Sequence, residues 1–320
     1  MRWVKYKQVI ENFFSLSILN ALNVLLPLVT LPYMLHVVGK ANYGAYSYVY
    51  AVVQYVILFS TYGFNFSATK QISQCRDDKE KVSKIYNAVT ASKTLIALSL
   101  SVLLLLCAKL VFKDGVGTLM FVYGLGMVVG DVLTPIWLFQ GMEKMKYMTI
   151  VNASSKILFT ILIFIVVRAS EDYQLLILLN SCGYLLAGLL SLILVCRQFH
   201  LRLHWATWSD IRMQLKEGSA VFGSTFGMNL YRNANVIILK QFVSDDIVGL
   251  YSAAEKVVKG FQSIISPAAQ ALFPHLSLRF KGQPVNEQMR MLRKVSIPFT
   301  SVVLVVTLGV YIFAPLISDI

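Results

Sequence analysis

Apolar stretches of about 20 residues recur along the whole of this 320-residue chain, the length an α-helix needs to cross a hydrocarbon core of roughly 30 Å. Nine such helices are predicted, near 13–37, 44–66, 87–110, 117–139, 147–168, 173–196, 217–239, 247–273 and 293–313. The runs are continuous and lack the alternation of barrel strands. Composition fits lipid as the solvent: 57% hydrophobic and 14% charged residues, against about 45–50% and about 25% for a soluble domain. These figures exclude a disordered chain, a collagen-like fibre and a disulfide-stapled secreted module. Cys75, Cys107, Cys182 and Cys196 show no C-x-x-C and no metal spacing, and they read as free thiols. Pro27, Pro32 and a polar-aromatic run follow the first apolar stretch. A cleavage site would need small residues there, so a retained first helix is expected rather than a signal peptide.

The net charge of +13 would suggest nucleic acid in a soluble protein, but its placement says otherwise. Nineteen of the 29 basic residues sit at one set of helix ends, among them Lys5, Arg76, Lys79, Lys81, Lys84, Lys144, Arg202 and Arg290. The opposite ends carry Lys40, Lys109, Lys113, Arg168 and Lys240. Such asymmetry puts the N-terminus in the cytoplasm. Charge spread over every inner loop, not gathered on one face, speaks against a nucleic-acid partner.

An internal repeat is visible. Val38, Gly44, Tyr46 and Ser47 recur as Val243, Gly249, Tyr251 and Ser252, all at an offset of 205 residues. The same offset carries the third predicted helix onto the ninth. Two parallel six-helix lobes are therefore expected, residues 1–204 and a partial second lobe over 205–320, with about three helices of that lobe lacking.

Five basic residues fall inside the apolar spans: Lys93, Lys156, Arg232, Lys256 and Lys259, with Asp131 and Glu255 the clearest acids there. Facing lipid, the five cations would cost roughly 12–17 kcal/mol together on the lenient insertion scale. They are expected to face a hydrated, net positive interior suited to a phosphate or pyrophosphate group. Lys93 and Lys156 lie close enough to helix ends that snorkelling is an alternative for both. Glu255 and Lys259 are four apart and could neutralise each other. Lys256 has no acid at helical spacing, which makes it the better substrate contact. Arg232 with Asn229 and Asn233 forms a polar stripe. Gln54 stands at the repeat-equivalent position of Lys259. Asp131 reads either as a proton-coupling site or as the partner of a cation.

Pro27 and Pro32 interrupt the first helix in this reading, as a bending element or a fixed kink. Gly126-xxx-Gly130 and Gly223-xxx-Gly227 read as close helix packing. His200 and His204 lack a third ligand, so no metal site is expected. Flanked by Arg202, Trp205 and Trp208, they look like an interfacial segment. No cofactor is expected, and no Ser/His/Asp or Cys/His set can be assembled.

Trp137-Leu138-Phe139-Gln140-Gly141-Met142-Glu143-Lys144-Met145 resembles the helix-four exit of O-antigen flippases, the Wzx-type polysaccharide transporters of the MOP superfamily. Leu31-Pro32-Tyr33 with Gly39 and Tyr43-Gly44 resembles their first hairpin. Gly249-Leu250-Tyr251-Ser252-Ala253-Ala254-Glu255-Lys256 resembles the start of their eighth helix, and Leu272-Phe273-Pro274 its end. Lys40-Ala41 departs from the Pro-acid pair of many relatives. The resemblance implies a flippase of the bacterial inner membrane. It would carry undecaprenyl-pyrophosphate-linked oligosaccharide from the cytoplasmic to the periplasmic leaflet by alternating access. Glycan polymerase and ligase are the implied partners, and Lys256 the implied headgroup contact.

Two rivals stand beside it. A MATE-like drug/cation antiporter would prefer an acid-rich cavity. A membrane-embedded glycan polymerase or glycosyltransferase would need acidic or histidine clusters on a sizeable loop, whereas the predicted outer loops are a few residues long.

Overall fold

The computed structural model describes residues 2–111 and 116–260, with isolated helical positions between 289 and 304. Side chains of residues 2–14, 16, 111, 116, 224–226 and 228–233 lie outside the described set. The described chain is all helix apart from short connections: α1 (Arg2–Val38), α2 (Lys40–Thr61), α3 (Phe64–Gln74), α4 (Lys79–Val111), α5 (Val116–Leu133), α6 (Ile136–Gly141), α7 (Met145–Val166), α8 (Leu175–Arg197) and α9 (Trp208–Leu239), then helical residues 245–260, labelled α10. Among the described residues six segments are long and apolar enough to cross a membrane: Ser17–Val38, Lys40–Gln74, Lys79–Leu110, Gly117–Gly141, Met145–Val166 and Ser170–Arg197. This is an all-α polytopic membrane protein. The ninth predicted helix lies outside the described residues.

Lipid explains where the excess apolar residues went. On α4, Leu95, Leu98, Val102, Leu106 and Leu110 stand exposed at steps of three and four, one stripe of a helix. Ile150, Ile157, Ile161 and Ile165 do the same on α7. Small and polar residues turn inward. Ser92, Ser181 and Ser191 are buried, and a Cβ on Gly130 would run into the backbone of Tyr184, so α5 and α8 pack at backbone contact as Gly126-xxx-Gly130 foretold. Gly223-xxx-Gly227 differs: among the described residues nothing lies within 4 Å of a Cβ at either position.

Two predicted spans are broken within their length. The second divides at Tyr62 (φ 43°) and Gly63 (φ 79°). A Cβ on Gly63 would stand 2.9 Å from the Gly218 carbonyl oxygen, so the missing side chain lets α9 approach the break. The fourth divides at Thr134-Pro135, because proline cannot donate to the carbonyl four residues earlier, that of Asp131. The first stays one helix: α1 runs through Pro27 and Pro32 without being divided.

Polar contacts define the two ends of the bundle. At one end Asn42 donates to the Ser170 hydroxyl (2.9 Å) and Tyr33 to the Val167 carbonyl (2.7 Å). At the other, Arg76 pairs with Glu143 (2.7 Å), Lys84 with Asp210 (3.1 Å), and Gln71 and Gln214 exchange amide bonds (2.9 and 3.2 Å). Thr207 caps α9 and donates to the Asp210 carboxylate (2.7 Å). That bond, with Lys84 beside it, holds the Asp210 carboxyl below the usual carboxylate range.

The repeat motifs meet each other. A Cβ on Gly44 would collide with the Asp245 carbonyl and lie 2.9 Å from Gly249 N; one on Gly249 would collide with the Lys40 carbonyl and lie 3.1 Å from Gly44 N. The residues 40 and 245, like 44 and 249, stand 205 apart. The contact is thus reciprocal: α2 touches α10 as α10 touches α2.

Candidate functional site

A cavity of about 290 Å³ lies among α1, α2, α5, α7, α8 and α10. Pro27 and Thr30 contribute from α1, Tyr46, Tyr50 and Gln54 from α2, Asp131 from α5, Asn152 and Lys156 from α7, Asn180 and Tyr184 from α8, and Lys256 from α10. Lys156 is 11 residues into α7 and Lys256 is 11 residues into α10, so each stands ~16 Å along its helix. That is about half of a hydrocarbon core. α7 and α10 are both intact at these positions, and rigid elements hold the two ammonium groups at one depth.

The intramembrane cations divide into two kinds. Lys93, 4% exposed, bonds the Asp131 carboxylate at 2.7 Å and the Asp131 carbonyl at 2.7 Å. That carbonyl has lost the donor four residues on to Pro135 and accepts instead from Thr134 N (3.2 Å) and from Lys93, so one ammonium serves both a buried acid and a broken helix. Lys259 pairs with Glu255 at 3.2 Å and stands outside the cavity lining, as does Glu255. Lys156 and Lys256 are different: among the described residues neither has a carboxylate within ion-pair distance. The Lys256 ammonium rests 5.4 Å from the ring centre of Tyr43 and 5.9 Å from that of Tyr46, whose quadrupoles contribute attraction of about 0.5–2 kcal/mol. Aromatic faces position a cation without cancelling its charge.

A polar wall faces the two lysines. Asn180 donates to the Tyr46 hydroxyl (2.9 Å) and Gln54 to the Tyr184 hydroxyl (3.1 Å). Tyr43, Tyr46 and Tyr50 follow one face of α2 at steps of three and four, with ring centres 5.8 and 5.9 Å apart.

Of the residues singled out from sequence, the fold brings Lys256, Gln54, Asp131 and Pro27 together. Lys259, Glu255 and Pro32 stand apart from the cavity lining. The side chains of Arg232, Asn229 and Asn233 lie outside the described residues. Asp131 proves to be the partner of Lys93. Lys156 is the site residue that sequence reasoning left among the snorkelling candidates. The signal was present: Asn152 and Lys156 are four apart, on one face of α7.

Asp131→Leu is expected to lower stability by about 3–5 kcal/mol, because Lys93 would stay buried without its counter-charge. The double change Lys93→Met/Asp131→Leu should recover most of that loss, measured as the thermal transition of the purified protein in detergent. A double variant no more stable than Asp131→Leu would show that the isolated charge is not the cause.

Residues 9–279 match the family described as "Polysaccharide biosynthesis protein". A protein of Escherichia coli (strain K12) named "Putative O-antigen transporter" is 32% identical over 267 residues, which cover 83% of this chain and 64% of the relative. One of Shigella dysenteriae with the same name is 28% identical over 282 residues, 88% of this chain and 70% of the relative. The chain thus spans just under two-thirds of the length of the Escherichia coli protein. No solved structure gives a significant match. With the match running through α1 to α10 and every helix that builds the cavity, the chain belongs to the polysaccharide biosynthesis protein family.

Proposed function

We propose that the protein is a flippase for lipid-linked oligosaccharide, a transporter and not an enzyme. It would move an undecaprenyl-pyrophosphate-linked repeat unit from the cytoplasmic to the periplasmic leaflet of a bacterial inner membrane. The observation that carries this reading is the pair of mid-depth ammonium groups, Lys156 and Lys256, sharing one cavity with no carboxylate answering either among the described residues. A diphosphate supplies the missing negative charge and accepts charge-assisted hydrogen bonds from both. The relatives named as O-antigen transporters point to the same cargo, and glycan polymerase and ligase would act on what it delivers.

Size sets the mechanism. At about 290 Å³ the cavity holds roughly ten waters' worth of liquid volume, enough for a diphosphate but not for an oligosaccharide. Loading the repeat unit therefore requires the two lobes, residues 1–204 and 205–320, to part at one end while staying joined at the other. The Gln71–Gln214 and Lys84–Asp210 contacts at the basic end, cytoplasmic by the charge rule, and the Gly44–Gly249 crossing at the other would open in turn. Bending of α1 at Pro27 accompanies that motion. Arg232, Asn229 and Asn233 of α9 stay proposed as further substrate contacts, and Lys259 remains held by Glu255.

A cation antiporter would want a free acid in the cavity. Among the described residues Asp131 is the acid that lines it, and it is occupied by Lys93.

Deleting the gene in its host should abolish long-chain surface glycan and leave lipid-linked repeat units accumulated on the cytoplasmic side, both restored by the intact gene. Normal surface glycan in the deletion strain would reject the reading.

A further inference from the structure

The connection from α8 to α9 has a pattern that transport does not use. Phe199-His200-Leu201-Arg202-Leu203-His204-Trp205 alternates apolar with basic or imidazole residues at every step. Its first part is fixed to the bundle: Phe199 and Leu201 are each 6% exposed, and Phe199 packs edge-on against Tyr147 at 5.7 Å. The next part is fixed by its backbone. Arg202 N donates to the Ser83 hydroxyl (3.2 Å), and Asn87 of α4 donates to the Arg202 carbonyl (2.8 Å) and accepts from His204 N (3.2 Å). So anchored, the segment presents Leu203 (56%), Trp205 (98%) and Trp208 (67%) outward, beside the exposed Arg202 and His204.

An apolar surface held outward by part-buried bonds to the Ser83 and Asn87 side chains needs an occupant, and the level of the segment identifies it. Tyr147, against which Phe199 packs, is three residues before Ile150, where the lipid-exposed row of α7 begins. Three residues of helix are ~4.5 Å, so the segment leaves the bundle at the edge of the hydrocarbon. There a tryptophan finds an apolar bed with a wet rim, and a guanidinium finds lipid phosphate. Arg197, Arg202 and Arg212 on and around the segment favour an acidic headgroup over a zwitterionic one.

We infer that residues 199–208 form a membrane-surface anchor that inserts Leu203, Trp205 and Trp208 into the headgroup layer and binds the bilayer's own acidic phospholipids through Arg202. The inference does not depend on the transported cargo.

The full-length protein in nanodiscs tests it, using phosphatidylcholine alone or mixed with phosphatidylglycerol, some acyl chains brominated near the headgroup. The fluorescence difference between wild type and Trp205→Phe isolates Trp205, a fully exposed position that the fold does not need. Bromolipid should quench that difference at least threefold more than aqueous acrylamide. Phosphatidylglycerol should deepen the quenching about twofold, and Arg202→Gln should remove this second effect. Free quenching of Trp205 by acrylamide would overturn the anchor. Equal quenching in both lipids, or quenching that requires added polyprenyl diphosphate, would overturn the acidic-phospholipid assignment.

Discussion

Lys156→Met and Lys256→Met should each lower surface-glycan display about tenfold or more at unchanged protein level, and the double variant should abolish it. A hydrogen bond to a charged partner contributes about 1.5–3 kcal/mol, which is roughly 10- to 100-fold in affinity. The stability of the same variants separates binding from structure. Both lysines carry a desolvation cost with no carboxylate to offset it among the described residues, so replacing either by methionine should leave the thermal transition unchanged or raise it. Lys93→Met should lower it, because that change strands Asp131. Glu255→Gln should leave display near wild type, since it releases Lys259 at a position 46% exposed and outside the cavity lining. Wild-type display in the Lys156→Met/Lys256→Met strain would end the cavity assignment. A fall in display that follows a fall in protein level would recast the lysines as structural.

Gly44→Leu should lower the amount of folded protein severely, and Gly249→Leu should do the same. At each position even a Cβ would collide with a carbonyl of the opposite helix. Backbone of an intact helix cannot yield as the tip of a flexible side chain can. Gly44→Ala and Gly249→Ala should each cost about 1–3 kcal/mol, the range for overfilling a packed site. The double alanine variant should cost clearly less than the two together, because the first methyl already pushes apart the two backbones the second would meet. Thermal transitions of the four proteins in one detergent measure this cycle. Strict additivity would mean that the two glycines do not share one crossing.

Much of this fold is legible from hydropathy, because lipid imposes a length on every span and leaves few alternatives to a helix. The breaks are less legible. Pro135 marks one openly, yet Tyr62-Gly63 depends on a left-handed turn whose reason is the backbone of α9, more than 150 residues away. The site divides in the same manner. Glu255 and Lys259 share a helix, so their pairing follows from spacing alone. Lys93 and Asp131 sit on different helices, and no spacing rule connects them. Without that pair the cations could be counted but not sorted, which is why Lys156 stayed beside Lys93 as a snorkelling candidate. Gly223-xxx-Gly227 shows the limit of such a motif: small residues permit close approach, and among the described residues no neighbour takes it up.

The reciprocal contact between positions 40/44 and 245/249 carries a symmetry statement. When equivalent residues touch each other crosswise, an approximate twofold axis passes between them, as in an isologous dimer seam. A seam between two copies of one chain would meet this requirement with a single codon. Within one chain the same requirement occupies two loci, each free to drift and each able to spoil the seam for both. Paired spin labels flanking this seam, one per half, would sit at mirrored distances from the axis, giving a ruler for its opening that needs no external reference point.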